Sequence, residues 1–169
     1  MDSKSTASGG TPALLALEKA GAAYALHPYS HDPTSGLSYG AEAAAAIGVP
    51  AEQVLKTLMA DVDGALVVAG VPVDGSLDLK ALARAVGGKR AAMADPAAAQ
   101  RATGYVVGGI SPLGQKQRHP TVVDATADVL DRVFVSGGRR GLDVELAPAD
   151  LATALGATVA PVGRADLHR

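Results

Sequence analysis

Residues 104–118, GYVVGGISPLGQKQR, combine four glycines, a serine–proline turn and a basic end formed by Lys116 and Arg118. Glycine lets backbone N–H groups approach a ligand closely, and proline stiffens the turn that presents them. Such a stretch can cradle a phosphate or stabilise a developing oxyanion. Its spacing argues against two common uses. A phosphate loop needs G-x-x-x-x-G-K-[ST]. Gly109 and Gly114 are correctly separated, but Gln115 follows, Lys116 comes one position late, and no Ser/Thr comes after it. A nucleophile elbow needs G-x-S-x-G. Gly109-Ile110-Ser111-Pro112-Leu113 lacks the last glycine, and the nearest base, His119, precedes a proline. Ser111 is therefore expected to shape its own turn by bonding to backbone.

Other groups that could do chemistry stand far away in sequence. Lys56 lies at the mouth of an apolar run, between Leu55 and Leu58. It reads either as a snorkelling surface lysine or as a cation at a pocket rim. The segment His27-Pro28-Tyr29-Ser30-His31-Asp32-Pro33 is a polar loop dense in titratable groups, a composition that marks a site more often than a core. Two histidines four apart off a helix, with no third ligand near, do not make a metal centre. No metal and no other cofactor is expected. The chain has no cysteine, so it has no disulfide, thiolate metal site or thiol nucleophile of its own. What remains is a backbone cradle, a lysine, a loop tyrosine and a basic face. Such a set works by positioning and oxyanion stabilisation.

Length and charge frame that site. The 169 residues fit one domain, expected over 11–169 after a disordered tail at 1–10. No apolar run is long enough to span a bilayer, and the first ten residues do not read as a secretory signal. A reducing cytoplasm is the default location. The net charge is −2, but residues 80–140 hold ten Lys/Arg and four Asp, which makes that segment +6 and the remainder −8. A locally basic face suits a phosphate-bearing partner.

The elements that must position these residues can be read from caps and alternation. Thr11 and Pro12 open a helix that Gly21 closes, with Leu14, Leu15 and Leu17 on its apolar face. Strands are expected at 23–27, 56–62, 65–71, 105–107, 121–124, 133–136, 142–146 and 157–162. Asp63-Gly64 joins two of them as a hairpin. Helices are expected at 40–47, 79–86, 97–103 and from Pro148 to Gly156, with a helical turn at 51–55. The alternation of Leu142, Asp143, Val144, Glu145 and Leu146 reads as a half-exposed strand. The order lacks regular β-α-β alternation. It predicts an α/β fold: a mixed, largely antiparallel, barrel-like curved sheet with surrounding helices.

Several strings, in one order, carry a resemblance. They are Thr11-Pro12-Ala13, His27-x-Tyr29-x-His31-Asp32-Pro33, Lys56-Thr57-Leu58, Met93-Ala94-Asp95, the GGISPLGQK string, and Ser136-Gly137-Gly138-x-Arg140-Gly141-Leu142-x-x-Glu145. Together they closely resemble the YbaK family of trans-editing aminoacyl-tRNA deacylases, to which the editing domain of prolyl-tRNA synthetase is more distantly related. The likeness runs from about Thr11 to Val162 and implies that family's fold. It implies release of cysteine from mischarged Cys-tRNA(Pro), with the substrate thiol attacking its own ester. Partners would be aminoacyl-tRNA and, transiently, prolyl-tRNA synthetase, with no membrane. The family's catalytic positions fall on Lys56, Tyr29, the backbone of Gly108, Gly109 and Ile110, and Asp143. Substrate contacts would extend over Ser111, Pro112, Gly114, Lys116, Arg118, Arg139 and Arg140. Two alternatives stay open: a deacylase for Ala-tRNA(Pro) or another mischarged tRNA that uses water, and a non-catalytic module that binds the tRNA end.

Overall fold

The computed structural model describes residues 10–165, so most of the expected N-terminal tail lies outside the described residues. Helix α1, Pro12–Ala20, starts where the sequence places it: Thr11 Oγ1 accepts the Leu14 N–H at 3.3 Å and Gly21 ends it in the left-handed region. Its buried face is Ala13, Leu14 and Leu17, whereas Leu15 points to solvent and does not join the apolar face. Strand β1 is Ala25–Pro28 and helix α2 is Tyr39–Ile47, capped by Ser38. After a 3-10 turn at Ala51–Gln53, β2 (Leu55–Val62) and β3 (Ala65–Pro72) form the expected hairpin. Its turn residues Asp63 and Gly64 both have positive φ, the pair a tight two-residue turn requires.

The remaining elements are β4 (Gly75–Leu77), α3 (Leu79–Ala85), β5 (Ala91–Met93), α4 (Pro96–Thr103), β6 (Thr121–Asp124) and β7 (Val133–Arg139). They continue with β8 (Leu142–Leu146), α5 (Pro148–Leu155), β9 (Thr158–Ala160) and β10 (Gly163–Ala165). Asp78 and Asp95 cap α3 and α4 with their carboxylates. The short pair β4–β10 has no signal in the sequence pattern. Residues 105–107 are a loop, not the expected strand, because the preceding Gly104 closes α4 and Tyr105 turns inward.

Five of the seven strand pairings are antiparallel, as expected. They make a five-stranded sheet, β5-β2-β3-β6-β9, a three-stranded sheet, β1-β8-β7, and the two-stranded β10-β4. The sheets do not close into a barrel. The two larger ones share a core, where Leu55 and Val123 join Val135 and Val144, and an isolated bridge links Val54 to Phe134. One core packs α1 and α5 on β7 and β8, through Leu14, Leu17, Val135, Val144 and Leu151. A second packs α3 on the five-stranded sheet, through Leu82, Val67, Val71 and Val122. Each fully buried Val or Leu contributes roughly 1.5–3 kcal/mol, so aliphatic residues suffice where aromatics are scarce.

Candidate active site

Strand β5 pairs with β2 only over Ala60–Val62, so residues 55–58 keep one edge free of a neighbouring strand. A cavity of about 370 Å³ opens there. Its walls come from β2, from Ser136 and Asp143 of the three-stranded sheet, and from the start of α2. The start of α4 and the glycine loop complete them. Of the sequence-predicted catalytic residues, Tyr29, Lys56, Gly108, Ile110 and Asp143 line it. The rest of the wall is largely apolar, including Val54, Leu58, Met59, Val73 and Ala99.

Lys56 is half-buried and has no ion-pair partner among the described residues. Asp143 sits opposite Ser136 in the β7–β8 pair and is only 5% exposed. The half-exposed reading of β8 therefore fails at Asp143: the strand is covered on both faces there, and the carboxyl faces the cavity. Burial pushes its pKa up to about 7. Its carboxyl accepts no hydrogen bond from a described residue. The Tyr29 phenol is pushed up to about 12, first by burial and then by the nearby Asp143 charge. At neutral pH it is a hydrogen-bond donor. The Tyr29 N–H donates to Gly141 O at 2.8 Å, which ties this loop to the β7–β8 turn.

The glycine stretch divides. Gly108 and Ile110 line the cavity, and among the described residues neither N–H has a protein partner. The Gly109 N–H is used internally, donating to Val106 O at 2.9 Å. Gly109 packs on the next turn instead, where an added Cβ would stand 2.8 Å from Arg139 Cα. Beyond it the chain turns away from the cavity. Ser111 is fully buried and its Oγ accepts the Leu113 N–H at 3.1 Å, the turn-shaping bond read from sequence. Tyr105 donates its hydroxyl to Leu113 O at 2.6 Å. Gly114 lies against the Pro12 carbonyl at the start of α1. Ser111, Pro112, Gly114, Lys116 and Arg118 are thus outside the cavity wall, the last two exposed. Arg139 and Arg140 are exposed on the β7–β8 turn. Arg140 Nε donates to Val107 O at 2.9 Å, which brings its guanidinium to the glycine loop.

Sequence reasoning missed several wall residues: Ser38, Tyr39, Thr57, Met59, Met93 and Ser136. Thr57, Met93 and Ser136 lie inside strings that carried the family likeness, but nothing in their types marked a role. Tyr39 offered a signal, since the chain has only four tyrosines and one phenylalanine. The other loop groups have structural partners. His27 Nε2 meets Glu145 Oε1 at 2.7 Å, and Arg132 donates to the second Glu145 oxygen at 3.1 Å. Those two bonds hold the Glu145 carboxyl below its usual range.

The mixed α/β fold thus carries one largely apolar cavity that brings together Lys56 and the buried carboxyl of Asp143. Residues 35–154 match the aminoacyl-tRNA editing domain family, and the chain belongs to it. A relative from Enterococcus faecalis, described as a "Putative Cys-tRNA(Pro)/Cys-tRNA(Cys) deacylase EbsC", is 43% identical over 82 residues. That match covers 48% of this chain and 50% of the relative, so the chain spans about half the relative's length. Two solved structures share the fold. The hypothetical protein APE2540 superposes with TM-score 0.82 at 27% identity, covering 91% of this chain and all of that one. A "putative trans-editing enzyme for prolyl tRNA synthetase" superposes with TM-score 0.80 at 25% identity, over 97% of this chain and 99% of that one. The family read from the sequence strings is therefore the family to which the chain belongs. No helix among the described residues is long and apolar enough to cross a membrane.

Proposed function

We propose that the chain is a trans-editing aminoacyl-tRNA deacylase that frees cysteine from mischarged Cys-tRNA(Pro). The observation that supports this best is that Lys56 and Asp143 line one largely apolar cavity whose wall, among the described residues, contains no histidine. The hydroxyls there have no imidazole to activate them, and Ser136 Oγ accepts the Gly138 N–H at 3.1 Å. An aminoacyl ester supplies its own reactive parts. It carries an α-ammonium, which a buried carboxylate at Asp143 would hold. It also carries a carbonyl oxygen, which gains charge during attack and would face Lys56 and the N–H groups of Gly108 and Ile110. Tyr29, protonated at neutral pH, would donate to the same group or to the terminal ribose.

With cysteine as the amino acid, the side-chain sulfur attacks the ester carbonyl carbon. A C–S bond forms, the bond from carbonyl carbon to ribose oxygen breaks, and the thiol proton ends on that oxygen. The products are a cyclic thiolactone and tRNA with a free 3′ end. Held in a near-attack geometry, such an internal attack has an effective molarity of about 10⁵ M or more. Each donor aimed at the oxyanion adds roughly 3 kcal/mol. The tRNA body would lie over the basic face, and its identity would come from a transient complex with prolyl-tRNA synthetase.

A deacylation panel tests the reading: Cys-, Ala- and Ser-charged tRNA(Pro), each with and without the synthetase. Release from Cys-tRNA(Pro) with a thiolactone product is expected. Equal release from all three would replace the thiol by water, and tight binding without release would leave only a tRNA-end module.

A further inference from the structure

Glu42 is buried on α2, yet its carboxylate does not serve its own helix. It reaches back to the loop before α2. Oε1 meets His31 Nδ1 at 2.7 Å and Oε2 accepts the Asp32 N–H at 2.6 Å. These are short, charge-assisted contacts. A buried carboxylate is expensive unless satisfied in this way. The His31 ring in turn lies 5.3 Å, centroid to centroid, from the ring of Tyr39, three residues before Glu42. Tyr39 then contacts the glycine loop from the opposite side of the cavity mouth. A Cβ on Gly108 would stand 2.7–2.8 Å from three Tyr39 ring carbons, so only glycine lets the loop lie that close. Gly108 has φ +90°, which also requires glycine. Arg140 finishes the arrangement, with its guanidinium carbon 5.1 Å from the Tyr39 centroid and its Nε on Val107 O.

Three segments distant in sequence are therefore fastened at one place: the strap at residues 29–38, the glycine loop and the β7–β8 turn. Tyr29 begins that strap, and Gly108 and Ile110 belong to that loop. We infer that Glu42 and Tyr39 are positioning residues that act as one clasp, fixing Tyr29 and the glycine-loop N–H groups over the cavity. The inference rests on the deacylase reading for its kinetic readout but not for its structural one. Neither residue needs to touch the ester. Both act through the groups that do.

The test uses the full chain with Glu42→Gln, Tyr39→Ala, Tyr39→Phe and the double variant Glu42→Gln/Tyr39→Ala. Glutamine keeps the shape but loses the charge and one acceptor, so it meets the Asp32 N–H and His31 together only with Nε2 donating to an unprotonated His31 Nδ1, and both contacts lose their charge assistance. Misplacing reacting groups by about 1 Å costs on the order of 100-fold. Glu42→Gln and Tyr39→Ala are each expected to lower kcat/KM at least about tenfold, while Tyr39→Phe, which keeps the ring, stays within about twofold. The double variant should fall no further than the worse single one, because the residues work as a unit. Single losses that multiply in the double variant would overturn the clasp, and so would wild-type rates in Glu42→Gln. Hydrogen–deuterium exchange gives a reading that needs no activity. Glu42→Gln should speed exchange at residues 106–110, which Glu42 does not touch, as well as in the strap. Should the wild-type chain release no amino acid, the deacylase reading fails while this exchange result still decides the clasp. Tyr39 is partly exposed, so Tyr39→Ala folds and decides the question should Glu42→Gln not fold.

Discussion

Lys56 and Asp143 face one cavity from two different sheets, Lys56 from β2 of the five-stranded sheet and Asp143 from β8 of the three-stranded one. The sheets meet just beside them, where Val54 bridges to Phe134 and Leu55 joins the core of β7 and β8. The site is thus built across the junction of the two cores. A cation and a carboxyl stand on its two walls with no ion pair between them.

Lys56→Ala should lower kcat/KM for release of the amino acid by about 100-fold or more, the scale for losing one preorganised group that stabilises the oxyanion. tRNA affinity should change by only a few fold if, as proposed, exposed basic residues elsewhere make the phosphate contacts. Single-turnover deacylation and a binding titration at fixed salt separate the two. A parallel loss of binding and rate would make Lys56 a tRNA anchor instead.

Asp143 gives a prediction in pH. Its folded pKa, about 7, lies above the ordinary carboxyl value of 3.8, so the folded state holds the proton more tightly than the unfolded chain. Stability from this group is therefore complete below pH ~4 and declines as pH rises to about 7, where it levels off. The gap between 3.8 and about 7 corresponds to roughly 4 kcal/mol at most. Asp143→Asn removes the dependence. It should raise the melting temperature by several degrees at pH 8 and change little at pH 4, while activity falls. Thermal melts at the two pH values check the sign. Equal shifts at both would mean that the carboxyl is not the destabilising group.

The strings around Lys56 and Tyr29 drew attention to those two residues before any fold was known, and the cap at Thr11 fixed the start of α1 correctly. Local chemistry carries both kinds of signal. Asp143 was located, but its environment was misread, because alternation along one strand says nothing of what packs on its second face. Residues 105–107 looked like a strand by composition. Tyr105 is instead buried by a bond to Leu113 eight residues on, a partnership that no window of periodicity reveals. Glu42 was invisible as a site residue for the same reason: its bonds to His31 and the Asp32 N–H are set by tertiary approach.

Two glycines of residues 104–118 should fail in opposite ways when replaced by alanine. Gly114 has φ +64°, and its new Cβ would overlap the Pro12 carbonyl oxygen and carbon, which are backbone atoms at the start of α1. Neither side can yield cheaply, so Gly114→Ala should lose more than about 2 kcal/mol of stability. Its folded fraction should keep a wild-type kcat/KM, since Gly114 lies outside the cavity wall. Gly108 also has positive φ, but its Cβ would meet the side chain of Tyr39, a partly exposed ring at the cavity mouth that can swing outward. Gly108→Ala should therefore lose less stability and more activity, because displacing the ring opens the mouth. Denaturant melts paired with single-turnover rates for both variants test the division. If Gly114→Ala proves the more damaging to rate in fully folded protein, the cradle extends past Ser111 and the cavity wall alone does not define the site.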